Sequence, residues 1–295
     1  MNKTTGKPVS EQWFETYLKE RQLTDFEYHP SVEDATKHPD YRVVVGGSEV
    51  FFEVTEFDTP TYMPNKVGAV DLSTIRTQIR KKIERERQHL KDLKGRMCAI
   101  VLADPHDSFR FLKQRFIIEA MLGALGLTMP YDGETGACDS SRMTSTFAPG
   151  GKMVRWKNGN PLEPQNTTIS AVCVLGMVDE GARRLGIRIK QRIREAGQPL
   201  DDDAALAMLN EAESANADDS LYHLRVQIYE NPCEPKAPLT EAFGTGPHDE
   251  RFGVRDGRWQ RVFVGDSLND LEADERAAGI KPNGPFDLGL RTKGE

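Results

Sequence analysis

Apolar and polar positions repeat with two different periods along the first hundred residues, and each change of period marks an element. In SEQWFETYLKERQL (10–23), Phe14, Tyr17 and Leu18 fall at helical spacing behind Ser10, which predicts a helix with Ser10 as its N-cap. TDFEYHP (24–30) alternates as a short strand. Apolar runs at 41–45 and 49–57 flank Gly46-Gly47, the signature of a β-hairpin. Residues 71–95 repeat Leu72, Ile75, Ile79, Ile83, Leu90 and Leu93 on one helical face and stop at Gly95. CAIVLAD (98–104) is a buried strand bounded by Pro105. The order helix, three strands, helix, strand predicts an α/β unit around a central sheet.

Farther on, 111–127 reads as a helix rich in Phe, Met and Leu. The stretch 128–167 is rich in Gly, Pro and Ser and predicts a long surface excursion. TISAVCVLGM (168–177) and LYHLRVQIY (221–229) are strands, whereas 231–295 is Pro/Gly-rich and weakly periodic. The chain thus divides into a core (1–127), an excursion (128–167) and a C-terminal α+β extension (168–295). The later strands either extend the first sheet or build a second small domain.

One position breaks the pattern. On the strand 49–57, Val50, Phe52 and Val54 share one face, while Phe51, Glu53, Thr55 and Phe57 share the other. Both faces are apolar, as in a strand covered on both sides, yet Glu53 sits at the centre. An ionised carboxylate there is costly unless it is paired or coordinates a cation. Folding the hairpin brings Asp40 beside Glu53 and Thr55 at one end of the sheet. Two converging acids repel unless a hard cation sits between them, and Mg²⁺ (or Mn²⁺) suits such oxygen ligands. A metal held this way activates water and stabilises charge on a phosphodiester under attack. The same residues also admit an architectural reading, in which Asp40 caps the strand entry and Glu53 pairs with a basic residue of the 71–95 helix.

Composition adds constraints. With 38% hydrophobic and 29% charged residues the chain is an ordinary soluble globular protein. The formal net charge of −7 argues against a generic nucleic-acid coat protein, so a nucleic-acid partner needs a local basic surface. The candidates are 76–94 and RRLGIRIKQRIR (183–194). No apolar run is long enough to span a membrane, and the N-terminus lacks the apolar centre of a signal peptide. Cys98, Cys138, Cys173 and Cys233 are scattered, which implies a reduced cytoplasmic compartment. The histidines at 29, 38, 89, 106, 223 and 248 show no zinc spacing.

Pro39-Asp40, a dozen intervening residues, and Glu53-Val54-Thr55 on a hydrophobic strand resemble the PD-(D/E)xK motif of the restriction-endonuclease-like nuclease superfamily. That superfamily's core has the element order read above, and the resemblance covers about the first 105 residues. FEYHP, PDYRVVVGG, FFEVTEF and IRKKI also resemble a group of bacterial proteins with this core. The resemblance implies a metal-dependent nuclease acting on DNA, with Asp40 and Glu53 as metal ligands assisted by the Val54 carbonyl. It makes Glu15 the extra acid that many members carry on the opening helix. Thr55 replaces the motif lysine and supplies no positive charge. Some members recover one from the following helix. At ~1.5 Å rise per helical residue and ~3.3 Å per strand residue, Lys82 is expected level with Glu53, with Lys81 as runner-up. Gln78, Arg76 and Arg80 on the same helix, with Thr55, are the expected substrate contacts. Such nucleases often act as homodimers; no interface is legible in this sequence.

Two other functions compete. Loss of the lysine and the acidic net charge fit a catalytically inactive module of the same fold that binds nucleic acid or protein. RVFVGDSLNDLEADE (261–275) resembles the GDxxND metal-binding segment of haloacid-dehalogenase-like phosphatases. That chemistry needs an upstream D-x-D after an apolar strand, and Asp201-Asp202-Asp203 follows EAGQPL instead. Asp266 and Asp270 read better as turn or cap residues.

Overall fold

Gly46 and Gly47 both have positive φ (57° and 79°), the backbone of a two-residue turn whose twist matches its strands. The turn folds β2 (Tyr41–Val45) against β3 (Ser48–Glu56). A short β1 (Phe26–Tyr28) pairs antiparallel with β2, and β4 (Met97–Ala103) joins β3 in parallel. The computed structural model describes residues 6–33, 35–57, 72–105, 112, 114–128, 144–148, 151–157, 160–164, 166–196, 207, 210, 222–233, 237–255 and 258–280.

Helices cover both faces. On α1 (Val9–Glu20), Phe14, Tyr17 and Leu18 are fully buried against Tyr41, Phe52 and Phe243. On the other face α2 (Leu72–Leu90) and α3 (Gln114–Leu122) bury Ile75, Ile79, Ile83 and Ile117 against Phe51, Ile100 and Val172. Each such side chain contributes about 1.5–3 kcal/mol by leaving water.

Several boundaries differ from the sequence expectation. Ser10 is not the N-cap of α1. The helix starts at Val9 behind Pro8, and the Ser10 N–H donates to Glu56 Oε2 at 3.1 Å. The strand's last glutamate therefore satisfies an orphan N–H of the helix, which makes a serine cap unnecessary. α2 ends at Leu90, and turns carry the chain on to Gly95 (φ 83°). The side chain of Leu72 lies outside the described residues. The helix expected over 111–127 stops at Leu122. Gly123 (φ 123°) turns the chain, and Ala124–Thr128 becomes β5, paired with β6 (Thr144–Ala148). The stretch 128–167 is accordingly more than a surface excursion. It also holds a ribbon of β7 (Val154–Lys157) and β8 (Asn160–Pro164), and Met153 enters the core.

The later strands continue the first sheet. β9 (Ala171–Asp179) pairs in parallel with β4 and is followed by α4 (Glu180–Ala196). β10 (Tyr222–Glu230) is antiparallel to β9, and β11 (Glu250–Arg255) is parallel to β10. β12 (Arg258–Val264) closes an eight-stranded mixed sheet of order β1-β2-β3-β4-β9-β10-β11-β12. α5 (Asp266–Ala277) packs on α4 through Ile187, Leu271 and a bidentate Arg183–Glu275 pair at 2.8 Å. Charges interrupt the apolar pattern of β11 and β12, which hid them in the sequence. Those charges are paired: Glu250 with Arg225 and Arg261, and Arg261 with Glu272.

α1 is fastened to this far half by a buried acid. Asp249 accepts hydrogen bonds from Tyr17 Oη at 2.8 Å, the Val226 N–H at 2.9 Å and the Gly246 N–H at 2.7 Å. Cys98 and Cys173 are buried free thiols, and Cys138 lies outside the described residues. No helix among the described residues is long and apolar enough to cross a membrane.

Candidate metal centre

The β2–β3 ladder ends at Tyr41↔Phe52, and continuing its register sets Asp40 opposite Glu53. Beyond that point β3 has lost its partner on this edge. Asp40 Oδ2 fills the gap by accepting the Val54 N–H at 2.8 Å. A residue's N–H and C=O leave a strand on the same side, so the Val54 carbonyl opens toward this edge too. The Asp40 backbone is held in turn by the N–H of His29, a residue with φ of 49°.

Glu53 is 2% exposed and points to the α2 face. Its Oε2 lies 3.1 Å from His89 Nδ1, and its Oε1 is buried with no hydrogen-bond partner. Burial first, then the neighbouring Asp40 and Glu86 carboxyls, push its pKa up to about 10, with Lys37 opposing them. Without a cation, Glu53 is therefore a neutral acid at neutral pH.

Two further acids converge. Glu86, also 2% exposed, lies with His89 and Glu53 so that one ligand atom from each is within 4.8 Å of the others. Glu11, from α1, is raised by burial and by Asp40, against a hydrogen bond from Tyr28, and its Oε2 is buried without a partner. Asp40 thus faces both Glu53 and the α1 acid Glu11, and Glu86 faces Glu53 from α2. Two of these acids keep an unpartnered oxygen, the donor set and the deficit that a hard dication would meet.

Not every predicted residue joins them. Glu15 lies one turn along α1 from Glu11, on the same flank. It accepts from Tyr41 Oη at 3.0 Å and from Lys7, and these bonds outweigh burial and lower its pKa. The α1 acid nearest Asp40 is Glu11. Lys82 lies over the Phe57 ring, 5.2 Å from its centroid, four residues along the strand from Glu53. Lys82, expected level with Glu53, is level with Phe57 instead, so nearly three turns of α2 extend past the strand end. The residues that α2 brings to Glu53 are Glu86 and His89. Arg76 reaches the Glu119 carboxylate at 3.2 Å and Arg80 its carbonyl at 3.2 Å, so both tie α2 to α3. Gln78 is exposed, and Thr55 is buried beside Glu53 on the same strand face.

A signal for the missed acids existed in the sequence. Glu11, Phe14 and Leu18 are spaced three and four apart, as are Ile83, Glu86 and Leu90. Each acid occupies a place that the apolar stripe reserves for a core residue.

The basic stretches are largely engaged within the fold. Arg87 pairs with Glu84, Arg183 with Glu275, and Arg194 with the Ala277 carbonyl. Asp266 and Asp270 are exposed on the first turns of α5, and Asp201–Asp203 lie outside the described residues. Comparison of the chain with protein-family models, with curated proteins and with solved structures finds no match.

Proposed function

We propose that this protein is a divalent-metal-dependent nuclease of the restriction-endonuclease-like type, cutting phosphodiester bonds in DNA. The observation that carries the reading is the carboxyl cluster of Asp40, Glu53, Glu86 and Glu11 with its unpartnered oxygens. The meander β1–β3, the parallel β4 and a helix on each face agree with it. Asp40 and Glu53 would hold Mg²⁺ or Mn²⁺, with the Val54 carbonyl on the same edge. When bound, the ion supplies Lewis-acid activation of water and charge stabilisation at the phosphate.

The chain's own residues do the rest. His89 keeps one ring nitrogen on Glu53 and leaves the other for a water, as a general base whose tautomer Glu53 fixes. It takes over the proton-handling part of the missing lysine's role; Thr55 cannot. Loading the site requires Glu53 to release its proton, so metal binding and proton release are coupled.

The test is incubation with plasmid, single-stranded DNA and RNA, with Mg²⁺ or Mn²⁺ and with EDTA. Cleavage should need the metal and fall more than about 100-fold in Asp40→Asn and Glu53→Gln. Full activity in Asp40→Asn would sink the assignment. A second reading, an inactive module of this fold, is favoured by Thr55 at the lysine position and by Arg76 and Arg80 being tied to α3. Binding to DNA without cleavage under every metal condition would select it.

A further inference from the structure

A second cluster lies where β9 gives way to α4. Glu180 opens α4, His223 stands near the start of β10 opposite Val178, and His248 precedes β11. The two imidazole rings stack, 4.3 Å between centroids and 17° between planes. Glu180 Oε2 lies 3.5 Å from His223 Nε2. One ligand atom from each of the three residues falls within 4.8 Å of the others. An independent observation points to a missing partner. His248 is 4% exposed, and its Nδ1 is buried without a hydrogen bond. An orphaned buried nitrogen costs about 1–3 kcal/mol, and a native fold rarely keeps one without a reason.

We propose that Glu180, His223 and His248 form a binding site for a zinc-type transition-metal dication, separate from the Asp40–Glu53 cluster. Two imidazoles and one carboxylate are a borderline-soft donor set that suits Zn²⁺ and disfavours Mg²⁺. The oxygen-rich cluster around Glu53 has the opposite preference. Charges facing the site are balanced locally. Arg184 holds Glu180 Oε1 at 2.7 Å and leaves Oε2 to the metal; Arg21 is answered by Asp249 at 3.5 Å. Asp179 Oδ1 accepts the Ala182 N–H at 2.8 Å and fixes the first turn of α4, hence the Glu180 backbone.

Ligands of a tetrahedral zinc sit about 3.3 Å apart, so binding draws the three groups together by roughly an ångström. His223 makes that move by rotating out of the stack, since its side chain is 35% exposed. The same exposure leaves a fourth position open to water.

The experiment uses the full chain without a histidine tag, stripped with EDTA and returned to excess Mg²⁺, which occupies the oxygen-rich cluster. Zn²⁺ is titrated against a chelating dye, and Co²⁺ is added as an absorbing substitute. One Zn²⁺ per chain and visible Co²⁺ bands are expected. His223→Ala and Glu180→Gln should each weaken Zn²⁺ by more than about 100-fold, beyond the loss expected for an outer-shell partner. Glu53→Gln and His89→Ala should leave it unchanged. Retention of Zn²⁺ by both His223→Ala and Glu180→Gln overturns the proposal, as does its loss in Glu53→Gln or His89→Ala. If His223→Ala fails to melt cooperatively, Glu180→Gln decides alone. None of these outcomes depends on nuclease activity.

Discussion

Replacing Glu53 by glutamine should make the metal-free protein more stable, and the gain should grow with pH. The side chain keeps its shape, and only the option of carrying charge is lost. Glu53 moves from an ordinary 4.5 to about 10 on folding, because it is buried beside Asp40 and Glu86. Between those values the folded chain holds a proton that the unfolded chain releases, so wild-type stability falls as pH rises through that window. Each pH unit is worth about 1.36 kcal/mol. The difference between variant and wild type should therefore widen by up to about 2.7 kcal/mol from pH 5 to pH 7, reaching about 3.4 kcal/mol. Below pH 4.5 it should vanish. Urea unfolding in EDTA across this range is the assay. A difference that stays flat with pH, or a variant less stable than wild type at pH 7, would refute the argument. Repeating the series in saturating Mg²⁺ should reverse the order. An ion at 1,000 times its Kd stabilises the wild type by about 4.1 kcal/mol, more than the variant's advantage at pH 7, and the amide cannot share in that.

Two other perturbations test the scaffold. Tyr17→Phe removes a donor from the buried Asp249 carboxylate and should cost about 1.5–3 kcal/mol in chemical denaturation. Glu119→Ala strips Arg76 and Arg115 of their carboxylate at the α2–α3 junction; partial exposure of both arginines limits the expected loss to about 2 kcal/mol by the same measurement.

The first half of the fold was legible because local signals agreed with one another there. A Gly-Gly turn, period-two strands and a helical stripe each point to the same meander and its covering helices. The far half was not, since β11 and β12 satisfy their charges across strands and lack the apolar alternation that marks a half-buried strand. The pairing of Asp40 with Glu53 followed from hairpin register alone. Lys82 was misplaced because helix register depends on where a helix begins relative to the sheet, and no local residue sets that. Glu180, His223 and His248 share no spacing; only the crossing of β9 and β10 with the approach to β11 gathers them.

The bond from the Val54 amide to Asp40 has a further consequence. It locks the rotamer of that carboxylate while the chain folds, so the ordering cost of about 1 kcal/mol for a flexible side chain falls on folding and not on ligand capture. An alanine there would leave a strand amide without its acceptor as well as removing the charge. Asparagine keeps an oxygen in place for the amide, so it tests the anion while sparing the strand terminus.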